Sequence, residues 1–334
     1  MKMKVIGISA IVLALLGMIS AIGIPMLVGE IHTSDDPFLD DRSDLIGDMK
    51  STSNADLTYT VSAPFPSMPE KVVLYKSVKP EITAELVSSV AEKMGLKGTV
   101  RESYDQMFVT DEPYSLEVNM ESGRVALIDI PRWMNPNDKD LPSNLPSDEK
   151  AIEIATRYLE ETRLMPPDAT LCGVDHPQIV KQNENGEFIS IAFEDIQISY
   201  CRSIEGQPVA GSKLTVEVGG GGDILNVYKL WRDYVPQEEV PIIKPQEALE
   251  ELKNVGMSAD VSQQTADITK IEFGYYEASA MEETAHLIPV YIFEGETSDG
   301  WTNTPFVRYI SASPDFRTDI PGGQVITLTP LPHF

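Results

Sequence analysis

Hydrophobic residues follow one another almost without interruption over residues 5–28, and this run differs from every later part of the chain. Lys2 and Lys4 precede the run, and no charged residue lies inside it. At ~1.5 Å per helical residue, such a run can cross a hydrocarbon layer of ~30 Å. The pattern predicts a transmembrane anchor within residues 1–29. Because positive charge favours the cytoplasmic side, the C-terminal body is expected outside the cytoplasm.

A cleaved signal segment is the alternative interpretation of the same residues. Ala21 and Gly23 are small residues that fit the positions before a cleavage site, and Pro25 follows them. Cleavage near Gly23 would give a secreted protein, whereas an uncleaved segment would give a single-pass membrane protein. Both interpretations place the body on the extracytoplasmic side.

Beyond residue 56, amphipathic helix patterns alternate with groups of strand patterns three times. The first helix is predicted over residues 81–94, where Ile82, Leu86 and Val90 recur at a spacing of four. Ser147 as N-cap and Pro245 as a first helical residue mark the two other helices. Strands are predicted at 107–110, 114–120, 124–130, 188–193, 196–203, 213–218, 224–232, 271–278, 287–294 and 306–312.

This order of elements predicts an α+β fold. We expect an N-terminal transmembrane helix followed by tandem units, each with one helix packed on an antiparallel β-sheet. Residues 30–56 are rich in aspartate and serine and are predicted to form an acidic flexible linker. The units are predicted at residues 57–140, 146–236 and 241–334, and the last includes a C-terminal tail.

Charge narrows the choice of partners. The chain has 52 acidic and 26 basic residues, which gives a formal net charge of -26. Such a negative field repels phosphate groups, so no nucleic acid is expected as a partner. Cations, basic peptides or a salty medium, which screens the repulsion among the acidic groups, fit this charge better.

Catalytic and metal-binding patterns are absent from the sequence. The four histidines, His32, His176, His286 and His333, do not occur at metal-ligand spacing, and no Gly-x-Ser-x-Gly motif occurs. The glycine run 219–222 is predicted to be a hairpin turn, because neither Lys-Ser/Thr nor a helix follows it. We therefore predict a protein that is not an enzyme and binds neither a cofactor nor a metal. The alternative is a hydrolase whose catalytic residues are dispersed along the chain.

Five other residues are candidates for special roles. Cys172 and Cys201 are the only cysteines, and they form either a disulfide or two buried free thiols. Tyr228, Trp231 and Tyr234 cluster at the end of one predicted strand. These aromatic residues form either a protein interface or part of the sheet packing.

Residues 200–227 have the most recognisable pattern of the chain. An aromatic strand leads into the turn Gly206-Gln-Pro-Val-Ala-Gly, and a second strand ends in the glycine run. The segment resembles PepSY-type modules, including those in the propeptides of thermolysin-like proteases. The overall layout and the segment 287–295 resemble exported, single-span regulators of the YycH and YycI type.

The resemblance carries no catalytic residues, and it implies a regulatory role. We expect a membrane-anchored exported protein that binds and regulates an unidentified extracytoplasmic or membrane protein, through a sheet edge or a groove beside a helix. The propeptide resemblance implies an alternative, which is an inhibitor or folding aid that acts in trans on a thermolysin-like protease.

Overall fold

The computed structural model describes residues 57–134, 136–182, 188–256, 264–280 and 284–316. The predicted anchor and linker lie outside the described residues, as does the C-terminal tail from residue 317. The described residues belong to two compact units. Unit 1 comprises Val73–Glu239 and Gly274–Leu287, and unit 2 comprises 57–72, Val240–Phe273 and 288–316.

The described part of the chain is an α+β protein with a large mixed sheet and few helices. The strands are β1 (Thr58–Val61), β2 (Lys71–Val78), β3 (Arg101–Ser103), β4 (Gln106–Asp111), β5 (Tyr114–Asn119), β6 (Val125–Asp129), β7 (Ala169–Asp175), β8 (Gln178–Gln182), β9 (Phe188–Glu194), β10 (Ile196–Ile204), β11 (Gln207–Val218), β12 (Ile224–Leu230), β13 (Asp233–Pro241), β14 (Thr265–Tyr276), β15 (His286–Ser298) and β16 (Asn303–Ser311). The helices are α1 (Ala84–Lys93), α2 (Ile130–Met134), α3 (Asp148–Glu161) and α4 (Pro245–Val255).

Unit 1 is built on eight antiparallel strands in the order β7-β10-β11-β12-β6-β5-β4-β3. Alternation of apolar and polar residues places one row of side chains on the helix-facing side of this sheet. Val109, Leu116, Leu127, Val227 and Val216 lie opposite one another on successive strands, and each is almost completely buried. This row is the centre of the unit 1 core.

Helices α1 and α3 cover that side of the unit 1 sheet. Val87 and Ala91 of α1 and Ala151, Ala155 and Leu159 of α3 are buried against the core. The predicted N-cap of α3 is confirmed, because the Ser147 hydroxyl accepts a hydrogen bond from the Lys150 N–H at 3.4 Å.

Unit 2 has its own core around β14, β15 and β16. Leu252 of α4, Ile268, Tyr291 and Phe293 are among its fully buried side chains. The rings of Phe273 and Tyr291 meet edge to face with their centroids 6.0 Å apart. The predicted third helix is confirmed: Pro245 is its first residue, and Gly256 ends it with a φ of 83°.

Parallel pairings between described strands depart from the predicted antiparallel arrangement. Within unit 2, β1 runs parallel to β14, and within unit 1 the Val209–Ala210 part of β11 runs parallel to Tyr275–Tyr276. Parallel neighbours need a long connection, and strand patterns contain no information about direction. The sheet is therefore mixed. The predicted boundaries of three consecutive units stay a prediction.

The glycine run after β11 is a tight turn that packs closely on another turn of unit 1. The Gly219 N–H donates to the Asp223 carbonyl at 2.9 Å, which closes the predicted β11–β12 hairpin. A side-chain carbon at Gly220 would overlap the carbonyl of Lys139, whereas one at Gly221 would meet no atom within 4 Å. The run therefore serves close packing as well as chain reversal.

Substitution of these two glycines separates packing from backbone strain. We expect Gly220→Ala to lower the free energy of unfolding by ~2–3 kcal/mol, because the Lys139 backbone must move away. Gly221→Ala, at a φ of 77°, should cost only ~1 kcal/mol of backbone strain. Urea unfolding of both variants measures the difference. Equal losses would contradict the close packing.

Candidate functional site

Arg202 lies at the centre of a closely connected polar cluster in unit 1. The residue belongs to β10 and follows Cys201 directly. The carbon at the centre of its guanidinium lies 5.4 Å from the ring centroid of Trp231 and 5.3 Å from that of Tyr234. Both distances are within the range of cation–π attraction, which contributes ~0.5–2 kcal/mol for each ring.

Asp168 joins this arginine to one of the two rings. Its carboxylate accepts a hydrogen bond from Arg202 Nε at 2.8 Å and another from Trp231 Nε1 at 3.0 Å. Arg202 Nη1 donates to the carbonyl of Arg232 at 2.7 Å. The charge of Arg202 is thus bound by an anion, two aromatic faces and a backbone carbonyl. We call Asp168, Arg202, Trp231 and Tyr234 the arginine cluster.

A second arginine next to this cluster is buried with a carboxylate. Arg232 and Glu277 are 5% and 1% exposed, and Arg232 Nη1 donates to Glu277 Oε1 at 3.0 Å. The same guanidinium donates to the carbonyls of Ala278 and Ser279, each at 2.8 Å, and the Ser212 hydroxyl donates to the other oxygen of Glu277. Burial raises the pKa of the Glu277 carboxyl, and the bonds from Ser212 and Arg232 oppose this rise.

Cys172 and Cys201 form a disulfide between strands β7 and β10. Their Cα atoms are 5.7 Å apart, within the usual range for a disulfide. The register of the two strands shifts between Ser199 and Tyr200, and this bulge on the β7 side leaves Cys172 without a directly opposite residue. Both cysteines are exposed. The disulfide therefore holds the strand that carries Arg202 to the neighbouring strand β7.

Loss of the disulfide should weaken unit 1 measurably. The cysteines are 29 positions apart, and closing a loop of this size stabilises a fold by about 3.6 kcal/mol in the chain-entropy model. We expect Cys172→Ser/Cys201→Ser to lower the free energy of urea unfolding by this amount. A reducing agent should lower the wild-type midpoint to that of the variant and leave the variant unchanged. A variant as stable as the wild type would contradict this role.

A third polar cluster in unit 1 surrounds Asp195, between β9 and β10. Burial raises the pKa of the Asp195 carboxyl to about 7, and the charges of Glu217, Asp140 and Glu194 act in the same direction. Arg132 opposes them, but its guanidinium is also bound to Asp140 and, at 2.8 Å, to Asp223. A pKa near neutrality occurs both in catalytic acids and in structural carboxylate clusters.

The histidines of the described residues are both engaged within unit 1. His176 Nε2 lies 3.1 Å from Asp148 Oδ1, and His176 Nδ1 lies 3.4 Å from Glu194 Oε1. His286 Nε2 lies 3.1 Å from the side-chain oxygen of Gln237. Both ring nitrogens of His176 therefore face carboxylates.

The fold brings together only two of the three aromatic residues that the sequence indicated as interface candidates. Trp231 and Tyr234 share Arg202, whereas Tyr228 lies against Lys213, whose Nζ is 6.0 Å from its ring centroid. All three aromatic residues are half-buried. Their role in a protein interface stays a prediction. Sequence reasoning missed Arg202, Arg232, Glu277 and Asp168, although an arginine inside an otherwise apolar strand pattern is a signal for a buried partner.

Neither a membrane-spanning helix nor a metal-binding group of side chains occurs in the described ranges. Among those residues, no helix has both the length and the apolar character that crossing a bilayer requires. The same residues contain no group of three or more histidine, cysteine, aspartate or glutamate side chains arranged to hold a metal ion. The predicted membrane segment lies outside them.

Comparisons with known proteins give distant structural similarity. No protein-family model and no curated protein matches the chain. An uncharacterized protein from Eubacterium rectale is similar over 78% of this chain and 90% of its own, with a TM-score of 0.45 and 13% identity. The C-terminal domain of Bacillus megaterium YpeB is similar over 73% of this chain and 99% of its own, with a TM-score of 0.34 and 14% identity.

Bacillus subtilis YycH is also distantly similar in structure. The similarity covers 72% of this chain and 53% of YycH, with a TM-score of 0.40 and 16% identity. The chain thus matches about half the length of YycH.

Proposed function

We propose that this chain is a membrane-anchored exported protein that binds and regulates an extracytoplasmic or membrane protein and is not an enzyme. Its body is built from tandem PepSY-like units, and residues 5–28 are the anchor. The proposal combines the apolar N-terminal run, the acidic body and the engagement of the polar clusters within unit 1.

The disulfide supports the extracytoplasmic part of this proposal. Disulfides form and persist mainly in oxidising compartments, and the bond between Cys172 and Cys201 is exposed to solvent. In the cytoplasm, thiol reductants would have access to it. Export of the body also agrees with the two lysines that precede the apolar run.

The observation that carries the non-catalytic part is the engagement of charged groups with one another. Asp168 binds both Arg202 and Trp231, Glu277 binds Arg232, and two carboxylates flank His176. A catalytic acid or base must instead present a group to the substrate within hydrogen-bond reach. Bonds of this kind stabilise the fold of unit 1 and keep these charged groups engaged within it.

Crosslinking in intact cells tests this function. The full-length tagged chain is expressed at its natural level in the cells that produce it and treated with a membrane-impermeant crosslinker. We expect mass spectrometry to identify one stoichiometric extracytoplasmic or membrane protein crosslinked to the chain. Protease added outside intact cells should digest the body of the chain. A body protected from external protease, or recovery of no stoichiometric partner, would overturn the proposal.

A hydrolase is the second candidate, and the near-neutral pKa of Asp195 is the observation that favours it. A broad screen of hydrolase substrates with the full-length chain separates the two functions. The binding function predicts no turnover above background. Hydrolysis by the wild-type chain that is lost in Asp195→Asn would instead establish the hydrolase, provided that the variant still binds the protein partner.

A further inference from the structure

A fully exposed tryptophan lies at the tip of the hairpin formed by β15 and β16 in unit 2. Trp301 is 96% exposed, within a loop whose flanking residues, Ser298 and Asn303, are paired. Tryptophan is the largest side chain, so its burial on a partner would remove a large apolar area from water. The fold of unit 2 leaves this whole ring accessible to a partner.

Hydrogen bonds fix the backbone that presents this side chain. The N–H groups of Trp301 and Thr302 donate to Asp299 Oδ1 at 2.8 and 2.7 Å, and the Gly300 N–H donates to Ser298 Oγ at 3.1 Å. Gly300 adopts a φ of 89°, which favours glycine. None of these bonds involves the indole ring. The loop is thus ordered without help from the side chain that it exposes.

An ordered loop with an exposed indole has the properties of a binding anchor. Burial of the ring on a partner would remove a large apolar area from water, while little backbone entropy remains to be lost. Tryptophans of this kind are enriched among the residues that contribute most to protein interfaces. The indole N–H adds a directional donor.

The charges near the tip indicate what kind of surface it contacts. Glu296, three residues before Asp299, is exposed and accepts a hydrogen bond from Asn303 Nδ2 at 3.2 Å. The carboxylate of Asp299 lies in the tip loop itself and accepts from the loop backbone. With a chain charge of -26, these groups disfavour an anionic lipid surface and a second copy of the chain. They favour a protein surface in which basic residues surround an apolar pocket.

We propose that the hairpin tip is the primary anchor for the regulated protein, with Trp301 inserted into an apolar pocket that has a basic rim. This inference rests on the proposed function and names the surface that performs it. Glu296 and Asp299 face the basic rim and set the orientation of docking. The arginine cluster is not required for this contact.

Site-specific crosslinking followed by affinity measurement tests the anchor. A photoreactive phenylalanine analogue replaces Trp301 in the full-length chain in living cells, and Tyr104, which is 95% exposed on a hairpin of unit 1, is the matched control position. We expect the analogue at position 301, and not at 104, to crosslink the stoichiometric partner that the membrane-impermeant reagent identifies. That partner is then purified for binding measurements.

The binding measurements compare three variants with the wild-type chain. Trp301→Ala should weaken binding of the purified partner about 30-fold, whereas Tyr104→Ala should stay within about twofold. Glu296→Gln should reduce the dependence of the association rate on salt. The thermal unfolding midpoint of Trp301→Ala should equal that of the wild type, which excludes a folding defect.

Two results would overturn the anchor and leave the proposed function intact. One is an unchanged affinity of Trp301→Ala for an established partner. The other is insertion of the indole into the bilayer. The fluorescence of Trp301 is obtained as the difference between the wild type and Trp301→Phe, both in nanodiscs of brominated phosphatidylcholine. Insertion into the bilayer would quench this fluorescence, whereas the proposal predicts no quenching. Failure to find any partner with the membrane-impermeant reagent counts against the proposed function itself.

Discussion

Replacement of Glu277 by leucine should destabilise unit 1 by about 3–5 kcal/mol. The carboxylate is 1% exposed and accepts hydrogen bonds from the side chain of Arg232 and from its backbone N–H. Without it, the buried guanidinium keeps its charge and loses its anionic partner. Urea unfolding followed by circular dichroism measures the loss.

The double variant Arg232→Met/Glu277→Leu separates the charge from the packing. Two apolar side chains of similar size remove both charges, so the double variant should recover at least half of the stability lost in Glu277→Leu. Glu153→Ala, which breaks an exposed ion pair with Lys150 on α3, should barely move the midpoint. Equal losses of stability in Glu277→Leu and Glu153→Ala would show that the buried pair of Arg232 and Glu277 does not stabilise unit 1.

Helices were predictable from the sequence because their determinants are local. Ser147 caps α3, and Gly256 ends α4 through its positive φ. Even so, α1 begins at Ala84 and not near Pro80, because the Thr83 hydroxyl accepts from the Leu86 N–H at 3.2 Å. The boundaries thus depended on which of several local capping residues was used.

Strands with mainly exposed residues were not predictable in the same way. Strand β13 includes Gln237, Glu238 and Glu239 in succession and has no apolar alternation. Strand β11 continues on both sides of Gly211, where a φ of 94° bends the chain past the Glu277 backbone. Pairing by a neighbouring strand, and not the pattern of its own residues, defines such a segment.

The polar clusters were the least predictable part of the molecule. Arg202 contacts the carbonyl of Arg232 across 30 positions, and Arg232 contacts Glu277 across 45. Periodicity describes neighbours within one element, so it contains no information about such contacts. Of the arginine cluster, the sequence indicated only Trp231 and Tyr234, because a group of aromatic residues can be recognised without knowledge of its contacts.

The Asp195 carboxyl should make unit 1 less stable as the pH rises from about 4 to 7. Its pKa in the folded protein is about 7, above the ordinary value of 3.8, because burial and the charges of Glu217, Asp140 and Glu194 disfavour ionisation. Between these two values the unfolded chain releases the proton and the folded chain keeps it. The unfolded state then binds fewer protons, so the free energy of unfolding falls with pH, by up to ~4 kcal/mol.

Asp195→Asn tests this linkage, because the amide has the shape of the protonated carboxyl and does not ionise. Near pH 3.5 the variant and the wild type should be almost equally stable, since the carboxyl is mostly protonated in both the folded and the unfolded state. At pH 8 the variant should be more stable by ~4 kcal/mol. Asp233→Asn, at an exposed position of β13, is the control and should show no such divergence. Parallel curves for Asp195→Asn and the wild type would mean that the carboxyl is ionised in the folded protein at ordinary pH.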